Sequence, residues 1–225
     1  MILLDVETTG IGPLDRICQI AIRHLESGET FCELFKPPVP IGIEAMSVTH
    51  ITNEDVEDKP AFIGSELFKK LQNEYKDDII VAHNAKFDIS LLNKEGIYPK
   101  NVICTMKLAH NFDETGELGK HNLQYLRYFY KLKIDGDVVA HDALGDIIVL
   151  EQLYNFYTQK YSVEEMLQLT KRPILLKVFP FGKYKGEKFS DVIGIDRNYF
   201  NWLIKNITDM SEDLEFTINY YLNHD

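Results

Sequence analysis

Ile2-Leu3-Leu4-Asp5-Val6-Glu7-Thr8-Thr9-Gly10 is the stretch whose reading sets the fold. Leu3, Leu4 and Val6 are apolar, and Gly10-Ile11-Gly12-Pro13 makes a turn behind them, so the run predicts a short buried strand. Alternate residues of a strand share a face, which sets Asp5 and Glu7 side by side. Two carboxylates at the end of a core strand are costly unless a positive group lies between them. A divalent cation is the simplest such group, because Mg²⁺ takes oxygen ligands from one or two carboxylates and leaves room for substrate phosphate. The alternative is an Asp and a Glu solvated at a strand end.

Outward from this strand, Ile17 to Ile22 and Thr30 to Phe35 read as two further strands, with Gly28-Glu29 as a hairpin turn. Pro37, Pro38 and Pro40 end that meander. A helix is expected over 60–75, starting at Pro60, and Ile79 to Ala82 reads as a buried strand. A helix from about Phe87 to Lys94, a short strand at Val102-Ile103, a helix over 105–110 and a polar loop over 111–120 follow. Leu123, Leu126, Phe129 and Tyr130 form a helical stripe read as core, and the longest helix spans 142–159 with Leu144, Ile147, Leu150 and Leu153 inward. Strands first and strand–helix alternation afterwards indicate an α/β domain on a mixed sheet.

Composition narrows the function. The chain of 225 residues is 45% hydrophobic and 26% charged, ordinary for a soluble globular protein. No apolar run approaches the ~18 residues of a membrane span. Asp5 interrupts the apolar start and no basic residue precedes it, so no signal peptide is expected, and the expected compartment is the cytoplasm. Cys18, Cys32 and Cys104 are odd in number and lack Cys-x-x-Cys spacing, which suits buried free thiols in a reducing compartment. A net charge of −11 argues against wrapping nucleic acid by charge alone. It leaves room for an enzyme that meets phosphates through metal ions and a local basic patch.

Two more acidic motifs share the pattern. His83-Asn84-Ala85-Lys86-Phe87-Asp88 directly follows the strand at 79–82, placing Asp88 on a helix's first turn at a strand's C-terminal end, where α/β sites lie. A first-turn Asp also suits the helix dipole with no further role. In His141-Asp142-Ala143-Leu144-Gly145-Asp146, Asp142 reads as an N-cap, with His141 in the preceding loop and Asp146 early in the helix. The pair His141-Asp142 also occurs in metal-dependent His-Asp phosphohydrolases, but those are all-helical and the early strands speak against them.

Asp5-x-Glu7, His83-Asn84-x-x-Phe87-Asp88 and His141-x-Ala143-x-x-Asp146, in this order, resemble the DEDD family of 3′→5′ exonucleases, in the subclass with a histidine five residues before the last aspartate. Thr8-Thr9-Gly10 and Ala45-Met46-Ser47-Val48-Thr49-His50-Ile51-Thr52 are also similar to that family. The resemblance covers residues 1 to about 160 and implies a ribonuclease H-like fold, a mixed five-stranded sheet flanked by helices. It implies that Asp5, Glu7, Asp88 and Asp146 hold two Mg²⁺ or Mn²⁺ ions, with His141 as the general base. Thr8, Thr9, Gly10 and Ile11 are candidates for gripping the terminal nucleotide, Ile11 against its base. Asn84 is expected to brace the site, and His50 is a candidate for the nucleotide pocket.

The tail differs in composition. Over 171–205 eight lysines and arginines face three acids, and aromatic residues interleave with them. Phe181-Gly182-Lys183-Tyr184-Lys185-Gly186 reads as a tight basic turn between short strands, followed by helices over 199–204 and 211–222. Contact of Lys183 and Lys185 with phosphates and of Tyr184 with sugar or base is one reading; a satellite core with solvated lysines is the other. From Arg172-Pro173 to Tyr199-x-x-Trp202-Leu203 the tail resembles the C-terminal extension of bacterial exodeoxyribonucleases of this family, as does Cys104-Thr105-Met106-Lys107-Leu108-Ala109. The expected organisation is therefore a catalytic domain over 1–160, a helical linker over 161–172 and a small α+β module over 173–225. Implied partners are the 3′ ends of single- and double-stranded DNA, with no membrane; oligomeric state, a homodimer included, stays open. Rival readings are an exoribonuclease, a polymerase's proofreading subunit, or a non-catalytic nucleic-acid-binding module.

Overall fold

β1 (Ile2–Thr8) is the middle strand of a five-stranded sheet in the order β3-β2-β1-β4-β5. It pairs antiparallel with β2 (Ile17–His24), which pairs antiparallel with β3 (Thr30–Leu34). On its other side it runs parallel to β4 (Ile79–Ala82), itself parallel to β5 (Asn101–Cys104). This is the mixed α/β sheet that the sequence implies. The computed structural model describes residues 1–134 and 142–224. By internal packing the chain divides into two compact units, Met1–Met106 with Asn122–Leu167, and Lys107–His121 with Gln168–Asp225.

In the first unit, Ile2, Leu4 and Val6 lie on one face of β1 and join Ile20, Ile22, Phe35, Phe62, Phe68, Leu91 and Leu92 in one buried cluster. The period-two alternation of β1 puts Leu3, Asp5 and Glu7 on the opposite face. The meander leads to two short helices, α1 (Ile43–Thr49) and α2 (Asn53–Val56). The helix expected over 60–75 begins later. Residues 61–65 form a turn through Gly64 at φ +86°, and α3 (Glu66–Lys69) starts at Ser65, whose side chain accepts from the backbone N–H of Phe68. A π-helical turn, Lys70–Glu74, continues it.

α4 (Ala85–Lys94) follows β4 and buries Leu91 and Leu92 in the main cluster. α5 (Thr105–Phe112) follows β5. α6 (Leu123–Phe129) starts at the N-cap Asn122. Its stripe is only partly core, since Leu123 and Leu126 are buried and Phe129 is half exposed. α7 (Ala143–Tyr157) packs on β1, β2 and α6. Leu144 points outward from α7, because Gly145 and Asp146 take the buried positions beside it. All three cysteines are free; Cys18 and Cys104 are buried, whereas Cys32 sits on the edge strand β3 and is exposed.

α8 (Val163–Lys171) leads into the tail, where α9 (Phe189–Ile195), α10 (Arg197–Asn206) and α11 (Glu212–His224) surround a separate core. Phe179, Phe189, Val192, Phe200, Leu203, Leu214 and Ile218 form it. The strands expected around the basic turn reduce to a single bridge, Val178 with Lys188. Among the described residues, no helix is long and apolar enough to cross a membrane.

Candidate active site

Three elements converge on the Asp5–Glu7 face of β1. The register of β1 with β2 passes from Glu7–Gln19 to Thr8–Ile17, leaving Cys18 as the extra residue of a bulge that bends the strand end. α7 comes to this face with its start fixed. The Asp142 N-cap carboxylate accepts from the Gly145 N–H at 3.3 Å. Gln19 fastens the same turn to β2, accepting from the Ala143 N–H at 3.2 Å and donating to Asp142 Oδ1 at 3.4 Å. Asp146, one turn into α7, thereby meets β1, and carboxylate oxygens of Asp5, Glu7 and Asp146 lie within 4.8 Å of one another.

Asp88 arrives from α4. Asn84 adopts left-handed backbone angles (φ 59°, ψ 42°), a conformation asparagine tolerates, and turns the chain from β4 into α4. Asp88 then stands buried in the first turn, within reach of the Val6 backbone. His83, in the same connection, pairs through Nδ1 with the Thr105 hydroxyl at 2.9 Å, while that hydroxyl donates to the Ala82 carbonyl at 3.3 Å. The four carboxylates line one open cleft of about 620 Å³, together with Ile11, His83, Asn84, Phe87 and the start of α6.

The charge balance in this cleft is one-sided. Burial raises Asp5 well above the usual carboxylate range, and Asp88, Asp146, Glu7 and Asp142 push it further. Burial also lifts Glu7 to about 8, with Asp146, Asp88 and Asp142 adding to it. Burial brings Asp88 to about 8 as well, against hydrogen bonding from its own and Val6's backbone. Among the described residues, every charge acting on Asp5 and Glu7 is another carboxylate. Hard oxygen donors gathered this closely suit a divalent metal ion, which favours the ionised form of all of them.

The remaining candidates fall into distinct places. Thr8 and Thr9 are buried, and their hydroxyls donate within their own loop, Thr8 to the Gly10 carbonyl at 2.7 Å and Thr9 to Asp15 at 2.6 Å. Gly10 is required there, since a Cβ would stand 2.7 Å from the Asp15 carboxylate. Ile11 projects from this loop, 92% exposed, on the rim of the cleft. His50 caps α1 with φ 59°, is exposed, and does not line the cleft. His141 lies outside the described residues. Lys183 and Tyr184 both engage Asp196, the ammonium at 2.9 Å and the phenol at 2.8 Å, and Lys185 is exposed on the same turn.

Two residues of the site, Gln19 and Gln124, escaped the sequence reading. Gln124 donates from Nε2 to Asp146 Oδ1 at 2.8 Å, fixing that carboxylate from α6. A glutamine on a helix otherwise read as core carries no signal until α6 and α7 are seen together.

Comparison with known proteins agrees with this geometry. The family model described as "Exonuclease" matches residues 2–154. The chain belongs to the exonuclease family. A second model, "Exodeoxyribonuclease X-like C-terminal", matches residues 179–208 of this exonuclease. Exodeoxyribonuclease 10 of Escherichia coli K12 is 31% identical over 225 residues, 99% of this chain and 98% of that one. The polymerase III epsilon subunit of Buchnera aphidicola is 32% identical over 70% of this chain and 74% of its own. Among solved structures, exonuclease X in complex with 5′ overhanging duplex DNA is similar with a TM-score of 0.59 and 28% identity, covering 75% of this chain and 98% of that one. The ribonuclease H-like architecture implied by the sequence is thus the observed one, exonucleases of this type depend on a divalent metal, and the chain has a carboxylate cluster that could hold one.

Proposed function

We propose that the chain is a 3′→5′ exodeoxyribonuclease that hydrolyses the terminal phosphodiester of single- and double-stranded DNA in the cytoplasm, in repair or recombination. The observation that carries this reading is the meeting of Asp5, Glu7 and Asp146 within 4.8 Å, with Asp88 in the same cleft. Asp5, Glu7, Asp88 and Asp146 would hold two Mg²⁺ or Mn²⁺ ions, which when bound supply Lewis acidity toward water and offset charge on the phosphate and the leaving oxygen.

The chain's own residues do the positioning. β1 fixes Asp5 and Glu7 on a buried central strand, and Gln124 and the Gln19–Asp142 lock hold Asp146 to them. His141, one residue before the α7 cap, takes the proton from the attacking water as it adds to phosphorus. The P–O3′ bond breaks, releasing a nucleoside 5′-monophosphate and leaving a new 3′-hydroxyl. Ile11 offers an apolar contact for the terminal base. The hydroxyls of Thr8 and Thr9 are committed to the loop, which favours its backbone, including Gly10, as what meets the nucleotide. The chemistry is assigned to residues 1–160, with 161–172 as linker and 173–225 as the module that engages DNA.

Likeness to the polymerase epsilon subunit favours a proofreading subunit as the second reading. The tail match to exodeoxyribonuclease X-like proteins favours the first. The test uses 5′- and 3′-labelled DNA and RNA oligonucleotides with Mg²⁺ or EDTA. Mononucleotides leaving DNA 3′ ends only with metal support the proposal. Binding without cleavage in Mg²⁺ and Mn²⁺ overturns it in favour of a binding module, and faster release from RNA overturns the DNA assignment. Sedimentation of the same preparation reads monomer against homodimer.

A further inference from the structure

The C-terminal unit is built around a tie that leaves a specific surface free. Asp196 caps α10, accepting from the Tyr199 N–H at 3.2 Å, and also takes the Lys183 ammonium at 2.9 Å and the Tyr184 hydroxyl at 2.8 Å. The turn closes on the Tyr199 ring, whose hydroxyl accepts from the Lys183 N–H at 3.3 Å. Only glycine permits this at 182, where φ is +81° and a Cβ would stand 2.4 Å from that hydroxyl. Lys183 also lies over the Tyr184 ring at 4.6 Å. Lys183 and Tyr184 therefore both hold the fold of the turn.

Other groups lie outside this tie. Trp202 and Lys205 stand three residues apart along α10, and Tyr199, which packs against the buried cluster containing Phe200 and Leu203, lies one turn before Trp202. The Tyr199 and Trp202 rings are parallel to within 9°, and Trp202 is 52% exposed. Lys185 and Lys205 are exposed, and no described acid pairs with either. A half-exposed indole backed by a second ring, with a lysine one turn along the same helix, is the combination that takes stacked bases and their phosphates. Charge complementarity points the same way, since 171–205 is basic within a chain of net charge −11.

We propose that Trp202, backed by Tyr199 and with Lys205 one turn further along α10, is a subsite for single-stranded DNA made of residues that do not line the carboxylate cleft. A flat indole favours unpaired bases over a closed duplex, whose base faces are stacked internally. The choice of DNA rests on the function proposed above.

Trp202 is the chain's single tryptophan, so its emission reports on this surface alone. The full chain is titrated in EDTA with oligothymidylate, and binding is followed in parallel by anisotropy of a dye-labelled strand. The subsite predicts saturable quenching of Trp202. It predicts affinity about tenfold lower in Trp202→Ala and near wild type in Trp202→Phe. For Lys205→Ala the slope of log K against log salt falls by about 0.7. Absence of quenching, equal quenching by inorganic polyphosphate, or unchanged affinity in a helical Trp202→Ala protein overturns the subsite. Mononucleotide release with Mg²⁺ but no quenching sinks the subsite and leaves the hydrolytic reading standing; quenching without release does the reverse.

Discussion

The cleft and the basic turn handle charge in opposite ways. In the cleft, Asp5, Glu7, Asp88 and Asp146 are gathered on one face, the described charges acting on Asp5 and Glu7 are other carboxylates, and burial holds Glu7 and Asp88 near 8. In the turn, Lys183, Tyr184 and Asp196 satisfy one another, and Lys183 and Tyr184 lower the Asp196 carboxyl below its ordinary range. The first arrangement is unfavourable to the protein alone and calls for a ligand of opposite sign. In the second, the charges already balance one another within the fold. Charged residues at a site are informative according to whether the fold has already answered them.

The largest test of this contrast falls on the cleft. Asp146→Asn removes a charge that the cation needs, and metal-dependent nucleotide release should drop roughly 10³-fold or more. A gel assay of end-labelled DNA reads it, and retained activity would sink the assignment. Gln124→Ala leaves the carboxylates but frees Asp146 to rotate. Loss of such an orienting partner typically costs about 10–100-fold in activity or metal affinity, and the Mn²⁺ concentration at half-maximal rate should rise with it. An unchanged metal requirement would show that Gln124 does not orient Asp146.

On the tail side, Gly182→Ala should destabilise the C-terminal unit by about 2 kcal/mol, because it forces an alanine into the left-handed region against Tyr199. Denaturant unfolding measures this, with hydrolysis of short single strands expected to persist. The smallest effect is also the sharpest in sign. In EDTA, Glu7 keeps its proton in the folded state up to about 8 but loses it near 4.5 when unfolded. The folded protein therefore holds more protons over this window, and its stability should fall as pH rises from about 4.5 to about 8. Glu7→Gln should abolish that part of the slope and raise Tm in EDTA at pH 8 by about 5 °C. A melting point lower than wild type under those conditions would contradict the electrostatic account.

The sheet could be read from the chain because its strands carry period-two or continuous apolar runs bounded by glycine and proline, as at Ile2 to Thr8 and Ile79 to Ala82. Helices whose burial is slight could not. α1 buries nothing and α2 only Val56, so neither has a stripe. The helix expected from Pro60 starts at Glu66 because Ser65 supplies a side-chain cap and Gly64 a left-handed turn, signals that outweigh Pro60. α9 does have a stripe, Phe189, Val192 and Ile193, but two turns of helix beside a glycine-rich turn were too short to register. The acidic motifs of the cleft stood out because Asp5-x-Glu7 and the α7 cap have local geometry. Gln124 and the Gln19–Asp142 lock did not, since each acts across elements far apart in sequence. Trp202 was visible only as one aromatic residue among many until α10 separated it from Phe200 and Leu203.

The central claim, that the carboxylates gathered in the cleft bind a divalent ion, is tested most directly by calorimetric titration of Mn²⁺ at pH 7 in two buffers of different ionisation enthalpy. The account predicts saturable binding with net release of protons, since Glu7 and Asp88 near 8 must ionise to take the metal. It also predicts that both the binding and the proton release are diminished in Asp146→Asn. Absence of Mn²⁺ binding, or binding without proton release, would contradict it.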